Sequence, residues 1–113
     1  ALQDVLVPAQ SLPPAQIIDA VCQHYRVSRS DLMDRRRHRD IVIPRQMAMY
    51  LLREEAGLSL TLIGQELGGR DHTTVLYACE KLANQIEEDE QMRRELLAIR
   101  EALYHGKPAP VRS

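Results

Sequence analysis

The sequence predicts an all-α domain of about six helices and no sheet. Apolar residues recur at three- and four-residue spacing through most of the chain, the pattern of helices with one buried face. Aromatic residues are scarce, with four Tyr, no Trp and no Phe, so the core is aliphatic, whereas strands favour aromatic and β-branched side chains. The connections are short and carry helix-cap residues. A chain of 113 residues holds one domain with a modest core.

Residues 1–12 are apolar but interrupted by Pro8, and read as a linker from a preceding element. Pro13 and Pro14 punctuate, and a helix follows over 14–25, with Ile17, Ile18, Val21, Cys22 and Tyr25 on one face. Ser28 suits an N-cap, with Asp31 adding negative charge to the first turn of a short helix ending near Met33. Residues 34–43 read as a basic loop, because Arg35, Arg36, Arg37, His38 and Arg39 cannot pack into a core. Ile41–Ile43 has no partner run with which to form a strand. Pro44 fits the first position of a helix over 44–56, where its missing N–H is no loss, with Met47, Ala48, Leu51 and Leu52 inward. Ser59 caps a short helix to 67, which Gly68 and Gly69 end. Asp71 caps a long helix to about 87, and a last helix spans about 89–104. Gly106, Pro108 and Pro110 leave 106–113 as a disordered tail, so the domain is expected to span 13–105.

The net charge of −1 hides a segregation. From Arg26 to Arg53 there are eight arginines against three aspartates, and from Glu80 to Glu101 seven acids against four bases. Cys22 and Cys79 lie in apolar-periodic segments and read as reduced, buried thiols. No secretory leader or membrane-spanning run is apparent.

The stretch GGRDHTTV, Gly68–Val75, invites a catalytic or metal reading, and both fail. Asp71, His72 and Thr73 are neighbours on one helix start and point in different directions, so they cannot converge as a triad. His24, His38, His72 and His105, with the two cysteines, show no CxxC, HxxxH or HExxH spacing. No GxxxxGK[ST] phosphate loop is present. No catalytic residue, metal or cofactor is therefore expected in this chain.

A helix-turn-helix fits better: helix 59–67, a glycine-containing turn, then a helix from Asp71. Val75, Cys79, Leu82 and Ile86 form the packing stripe of the second helix, with Leu76 and Ala83 at its edge. Thr73, Thr74, Tyr77 and Lys81 lie opposite, at and beyond the N-terminal end that reads base edges in the major groove. Thr, His and Asp can hydrogen-bond bases, and the free N–H groups of the helix end suit a phosphate. Asp71 also serves as N-cap, Thr73 and Thr74 could be a plain solvated turn, and the helical angle turns His72 toward the inner side, where packing is the alternative. Alone, the basic loop could be a solvated charged segment. Beside a helix-turn-helix, Arg35, Arg36, Arg37 and Arg39 suit insertion into a narrow A·T-rich minor groove, and Arg45 and Gln46, at a helix start, suit phosphate contacts.

RRRHRDIVIPRQMAMYL (35–51) and SLTLIGQELGGRDHTTVLYACEKL (59–82), with the spacing between them, closely resemble the C-terminal DNA-binding domain of the DnaA family of bacterial chromosomal replication initiators, over about residues 15–100. The resemblance implies a Trp-repressor-like helix-turn-helix that binds double-stranded DNA at short, asymmetric, A·T-rich DnaA boxes in the replication origin. It implies that Arg37 is the minor-groove arginine, that Arg45 and Gln46 make phosphate and base contacts, and that Asp71, His72, Thr73 and Thr74 read the major groove. Tyr77 stands where many members have His. Residues 1–12 would be the linker from a nucleotide-binding domain, so ATP belongs to the rest of a longer parent. The expected form is a monomeric, cytoplasmic, nucleoid-associated domain with no transmembrane segment, whose partners are DNA and the parent's other domains. A stand-alone transcription regulator on the same fold, or a protein-interaction module using the acidic helix from Asp89, are the rival readings.

Overall fold

A computed structural model describes residues 12–34 and 39–105. Arg35, Arg36, Arg37 and His38, the side chain of Arg39, residues 1–11 of the expected linker and the expected tail from 106 lie outside the described residues. Within them the chain forms six helices: α1 (Pro14–Tyr25), α2 (Arg29–Met33), α3 (Arg39–Glu54), α4 (Leu60–Glu66), α5 (His72–Glu88) and α6 (Glu90–His105).

Local chemistry accounts for most of the ends. Pro14 opens α1, where a proline sacrifices no helical bond. Arg26 closes it with φ of 59°, a left-handed conformation usually given to glycine, and Val27 N–H donates back to Cys22 O at 3.0 Å. Ser28 and Asp31 form a full capping box: Asp31 N–H donates to Ser28 Oγ at 3.1 Å, and Ser28 N–H donates to Asp31 Oδ2 at 3.0 Å. Ser59 caps α4 by accepting from Leu62 N–H at 3.2 Å.

The expected helix start at Pro44 is corrected. α3 begins at Arg39, so the second half of the expected basic loop is helical and Pro44 lies inside the helix. The apolar spacing explains why. Ile41 and Ala48 are buried with Leu51 and Leu52, and Ile43 packs partly against the same core. Burying such side chains contributes about 1.5–3 kcal/mol each. Pro44 lacks the N–H that would bond Asp40 O, a loss confined to the first turns.

α3 packs against α1, α2, α4 and α5, and α6 braces α1 and α5 from the other side. Ile17, Ile18 and Val21 of α1 meet Met47, Leu51 and Leu52 of α3, Ile63 of α4, Val75 and Leu82 of α5, and Ile99 of α6 in one core. Both cysteines are free thiols; Cys79 is buried and Cys22 half-buried. Burial pushes both thiols up. No helix among the described residues is long and apolar enough to cross a membrane.

Candidate nucleic-acid interface

The interface is built from the turn between α4 and α5. Gly64, inside α4, is its pivot. Its carbonyl accepts from Leu67 N–H at 3.3 Å, Gly69 N–H at 2.8 Å and Arg70 N–H at 2.9 Å, folding the chain back on the end of α4. A Cβ at Gly64 would stand 2.0 Å from Arg70 O, so only glycine lets the turn approach this closely. Gly68 adopts φ of 87°, and a Cβ there would lie 2.6 Å from Met33 O, so the turn also rests on the end of α2.

The turn delivers Asp71 as the N-cap of α5. Asp71 Oδ2 accepts from Thr73 N–H at 3.0 Å and from the Thr73 hydroxyl. Those bonds, the hydroxyl first, hold the Asp71 carboxyl below its ordinary range. His72 Nδ1 lies 3.8 Å from Asp71 Oδ1, and both side chains are 61% exposed. The alternative in which His72 packs inward is thus corrected: at the first position of α5 its side chain stands in solvent. Thr73, Thr74, Tyr77 and Lys81 are also exposed, while Val75, Ala78, Cys79 and Leu82 bury the opposite face. One rigid helix therefore presents an outward row of hydrogen-bonding side chains from Asp71 to Lys81.

Beneath that row a groove of about 610 Å³ runs between α5 and the first half of α3, with Val42, Gln46 and Met49 on one wall and Asp71, Thr74 and Tyr77 on the other. Gln46 is 9% exposed, and its Oε1 has no hydrogen-bond partner among the described residues. A buried amide oxygen left unbonded is costly, so this atom is suited to a donor arriving from outside.

Arg45 is placed differently from the expectation. It lies in the second turn of α3, away from any helix start, and is as buried as Gln46. Its Nε donates to Leu32 O at 3.1 Å, and its Nη2 to Asp34 O at 2.8 Å and Asp31 O at 3.4 Å. Burial pulls its pKa below the ordinary arginine value, with Asp34 opposing.

Sequence reasoning missed two residues. Arg70 donates through Nη2 to Asp34 O at 2.6 Å and through Nη1 to Leu67 O. Gly64 permits the turn. The only signal for Arg70 was its place between two glycines and a cap, and Gly64 read as an ordinary helix position. The expected site residues Arg45, Gln46, Asp71, His72, Thr73, Thr74, Tyr77 and Lys81 are brought onto or beside α5, Arg45 and Gln46 both lining the groove, whereas Arg35, Arg36, Arg37 and the Arg39 side chain lie outside the described residues. Among the described residues no group of three or more His, Cys, Asp or Glu could hold a metal ion.

Comparison with known proteins agrees with the helix-turn-helix fold. The bacterial dnaA protein helix-turn-helix family matches residues 14–82, from α1 into α5. The chain is 53% identical over 110 residues to the chromosomal replication initiator protein DnaA of Thermomicrobium roseum, covering 97% of this chain and 24% of that protein. It is 53% identical over 87 residues to the DnaA protein of Chloroflexus aurantiacus, covering 77% and 18%, and 47% identical over 91 residues to that of Symbiobacterium thermophilum, covering 79% and 20%. The chain thus spans about a quarter or less of the length of these relatives. It belongs to the bacterial DnaA helix-turn-helix family.

Proposed function

We propose that this chain is the double-stranded-DNA-binding part of a bacterial chromosomal replication initiator and recognises DnaA boxes at the origin. The observation that supports this most is the outward row on α5: a capped helix end with His72, Thr73 and Thr74 in solvent, beside a groove holding the unbonded amide oxygen of Gln46. Inserted in the major groove, His72 would donate to purine N7 or O6, the threonines would offer hydroxyls and methyls, and Asp71 would accept from a cytosine amino group. Tyr77 and Lys81 continue the row toward the flanking backbone, and Gln46 would accept from a base amino group through Oε1, or donate to a phosphate through Nε2, at the groove's edge. Arg37, with Arg35, Arg36 and Arg39, would enter the adjacent minor groove, where A·T-rich narrowing deepens the negative potential.

The domain performs no chemistry on DNA in this reading. Nucleotide binding belongs to the remainder of a longer parent, and the site of action is the nucleoid in the bacterial cytoplasm. Electrophoretic mobility with a box duplex and a scrambled duplex of equal composition tests it. Retention of the box at salt concentrations that release the scrambled duplex is the expected result. Equal binding to both would replace sequence reading by general backbone affinity, and no binding to either at low salt would remove DNA as the ligand.

A further inference from the structure

Two buried or half-buried arginines from different elements donate to one main-chain carbonyl. Arg45 Nη2 and Arg70 Nη2 reach Asp34 O at 2.8 Å and 2.6 Å. Arg45 also holds Leu32 O at 3.1 Å, and Arg70 also holds Leu67 O. The Leu32 and Asp34 carbonyls belong to the C-terminal end of α2, where a helix has no N–H donors of its own left to satisfy these groups. Gly68 rests on Met33 O at the same place. Sequence adjacency gives this knot its meaning: Asp34 immediately precedes Arg35, the first residue of the basic segment, and Arg70 immediately precedes Asp71, the cap of the exposed helix.

We propose that Arg45 and Arg70 are positioning residues, which use the Asp34 carbonyl to fix where the basic segment leaves the fold relative to the tip of α5. This rests on the reading of the two segments as DNA-contacting elements. A guanidinium is planar and presents several donors at fixed angles, so it can bond two carbonyls at once and hold them in register. A lysine keeps the charge as a single point and cannot reproduce the fork. Asp34, the last described residue before the basic segment, and Arg70, which joins directly to Asp71, are thereby held to one another through a single carbonyl.

The test is Arg70→Lys in the whole chain, with Arg45→Lys and Arg70→Gln beside it and helix content followed by circular dichroism. Arg70 is the half-buried member of the pair, so its lysine variant carries the test if Arg45→Lys unfolds. Binding is measured by fluorescence anisotropy on a box duplex with an A·T-rich flank, the same box with a G·C flank, and a scrambled duplex, over a salt series. The expected result is that Arg70→Lys reduces the flank preference at least about fivefold, keeps the preference for box over scrambled within about twofold, and leaves the salt slope unchanged. Arg37→Ala should then add nothing further to flank discrimination in the Arg70→Lys background. An unchanged flank preference would overturn the proposal. So would a salt slope lowered by about one unit in Arg70→Gln and restored in Arg70→Lys, since that marks a phosphate contact.

A readout without DNA separates this failure from failure of the functional reading. Amide hydrogen exchange at Asp34, whose N–H donates to Asp31 O at 3.3 Å, should speed up at least about fivefold in Arg70→Lys while α6 is unchanged. Equal protection in both proteins would overturn the proposal even if the wild type proved not to prefer a box. Loss of box preference in the wild type with the exchange effect present would instead condemn the functional reading alone.

Discussion

The two sides of this domain are fastened by different chemistry. On the side of α6, bonds to carboxylates do much of the tying. Tyr25 Oη donates to Glu95 Oε1 at 2.7 Å, Arg100 Nε to Glu55 Oε2 at 2.7 Å, and Tyr104 Oη also to Glu55. Burial, and then the bond to Glu95, pushes the Tyr25 phenol above its ordinary range. On the side of the turn, glycines and arginines do it: Gly64 and Gly68 admit backbone to backbone, and Arg45 and Arg70 tie main-chain carbonyls. Carboxylate pairs tolerate displacement of long side chains and contribute modestly when solvent reaches them. Carbonyl-directed forks and glycine contacts fix the backbone itself. The α6 side has carbonyl-directed bonds as well, from Arg93 Nη1 to Ile86 O at 2.7 Å and from Gln16 Nε2 to Leu103 O at 3.3 Å, so what sets the turn side apart is the close backbone approach at Gly64 and Gly68 and the one carbonyl shared by two arginines.

That contrast can be broken in order of severity. Gly64→Ala should be the most damaging, since a methyl has to be accommodated 2.0 Å from a carbonyl oxygen. A loss of ~3 kcal/mol in urea unfolding is expected, with box binding lost in parallel. His72→Ala leaves the fold alone and should cost about 1–3 kcal/mol on a box duplex and little on random DNA. An equal loss on both would show that His72 positions the domain without reading sequence. On the far side, Glu55→Gln should cost about 1 kcal/mol of stability and leave box affinity unchanged. A change in affinity would show that the two sides are not independent.

Two smaller effects sharpen the same point. The Asp71 carboxyl is held below its ordinary value of 3.8 in the folded chain, so its contribution is complete above that value and is lost as pH falls through the depressed one. Loss of protection at the Thr73 amide, relative to its intrinsic exchange rate at each pH, is therefore expected only below about pH 4, and Asp71→Ala should show it at neutral pH. Arg26→Gly relieves a left-handed residue at the end of α1 and should stabilise by about 0.5 kcal/mol, with no effect on DNA binding.

Local signals were legible in the sequence, and non-local ones were not. Ser28, Ser59 and Asp71 act as caps because capping depends on residues within one turn. The packing face of α5 followed from periodicity alone. Pro44 misled because its local preference for a helix start competes with burial of Ile41, and burial prevails. The displaced helix start puts Arg45 in the second turn of α3, beside the groove and bonded to Leu32 O and Asp34 O, not at a helix start. Helical angle turned His72 inward, but at the first position of a helix no preceding turn covers the side chain. Gly64 and Arg70 were invisible because their partners, Arg70 O and Asp34 O, are reached only through the tertiary fold.

Selection of binding sites from random duplexes tests the central claim most directly, because it reports sequence, orientation and flank together. The wild-type chain should enrich one short, asymmetric, A·T-rich site, and His72→Ala should relax selection at a discrete position within it. Enrichment of no site, or an identical site from the His72→Ala chain, would contradict the assignment of the α5 tip as the element that reads DNA.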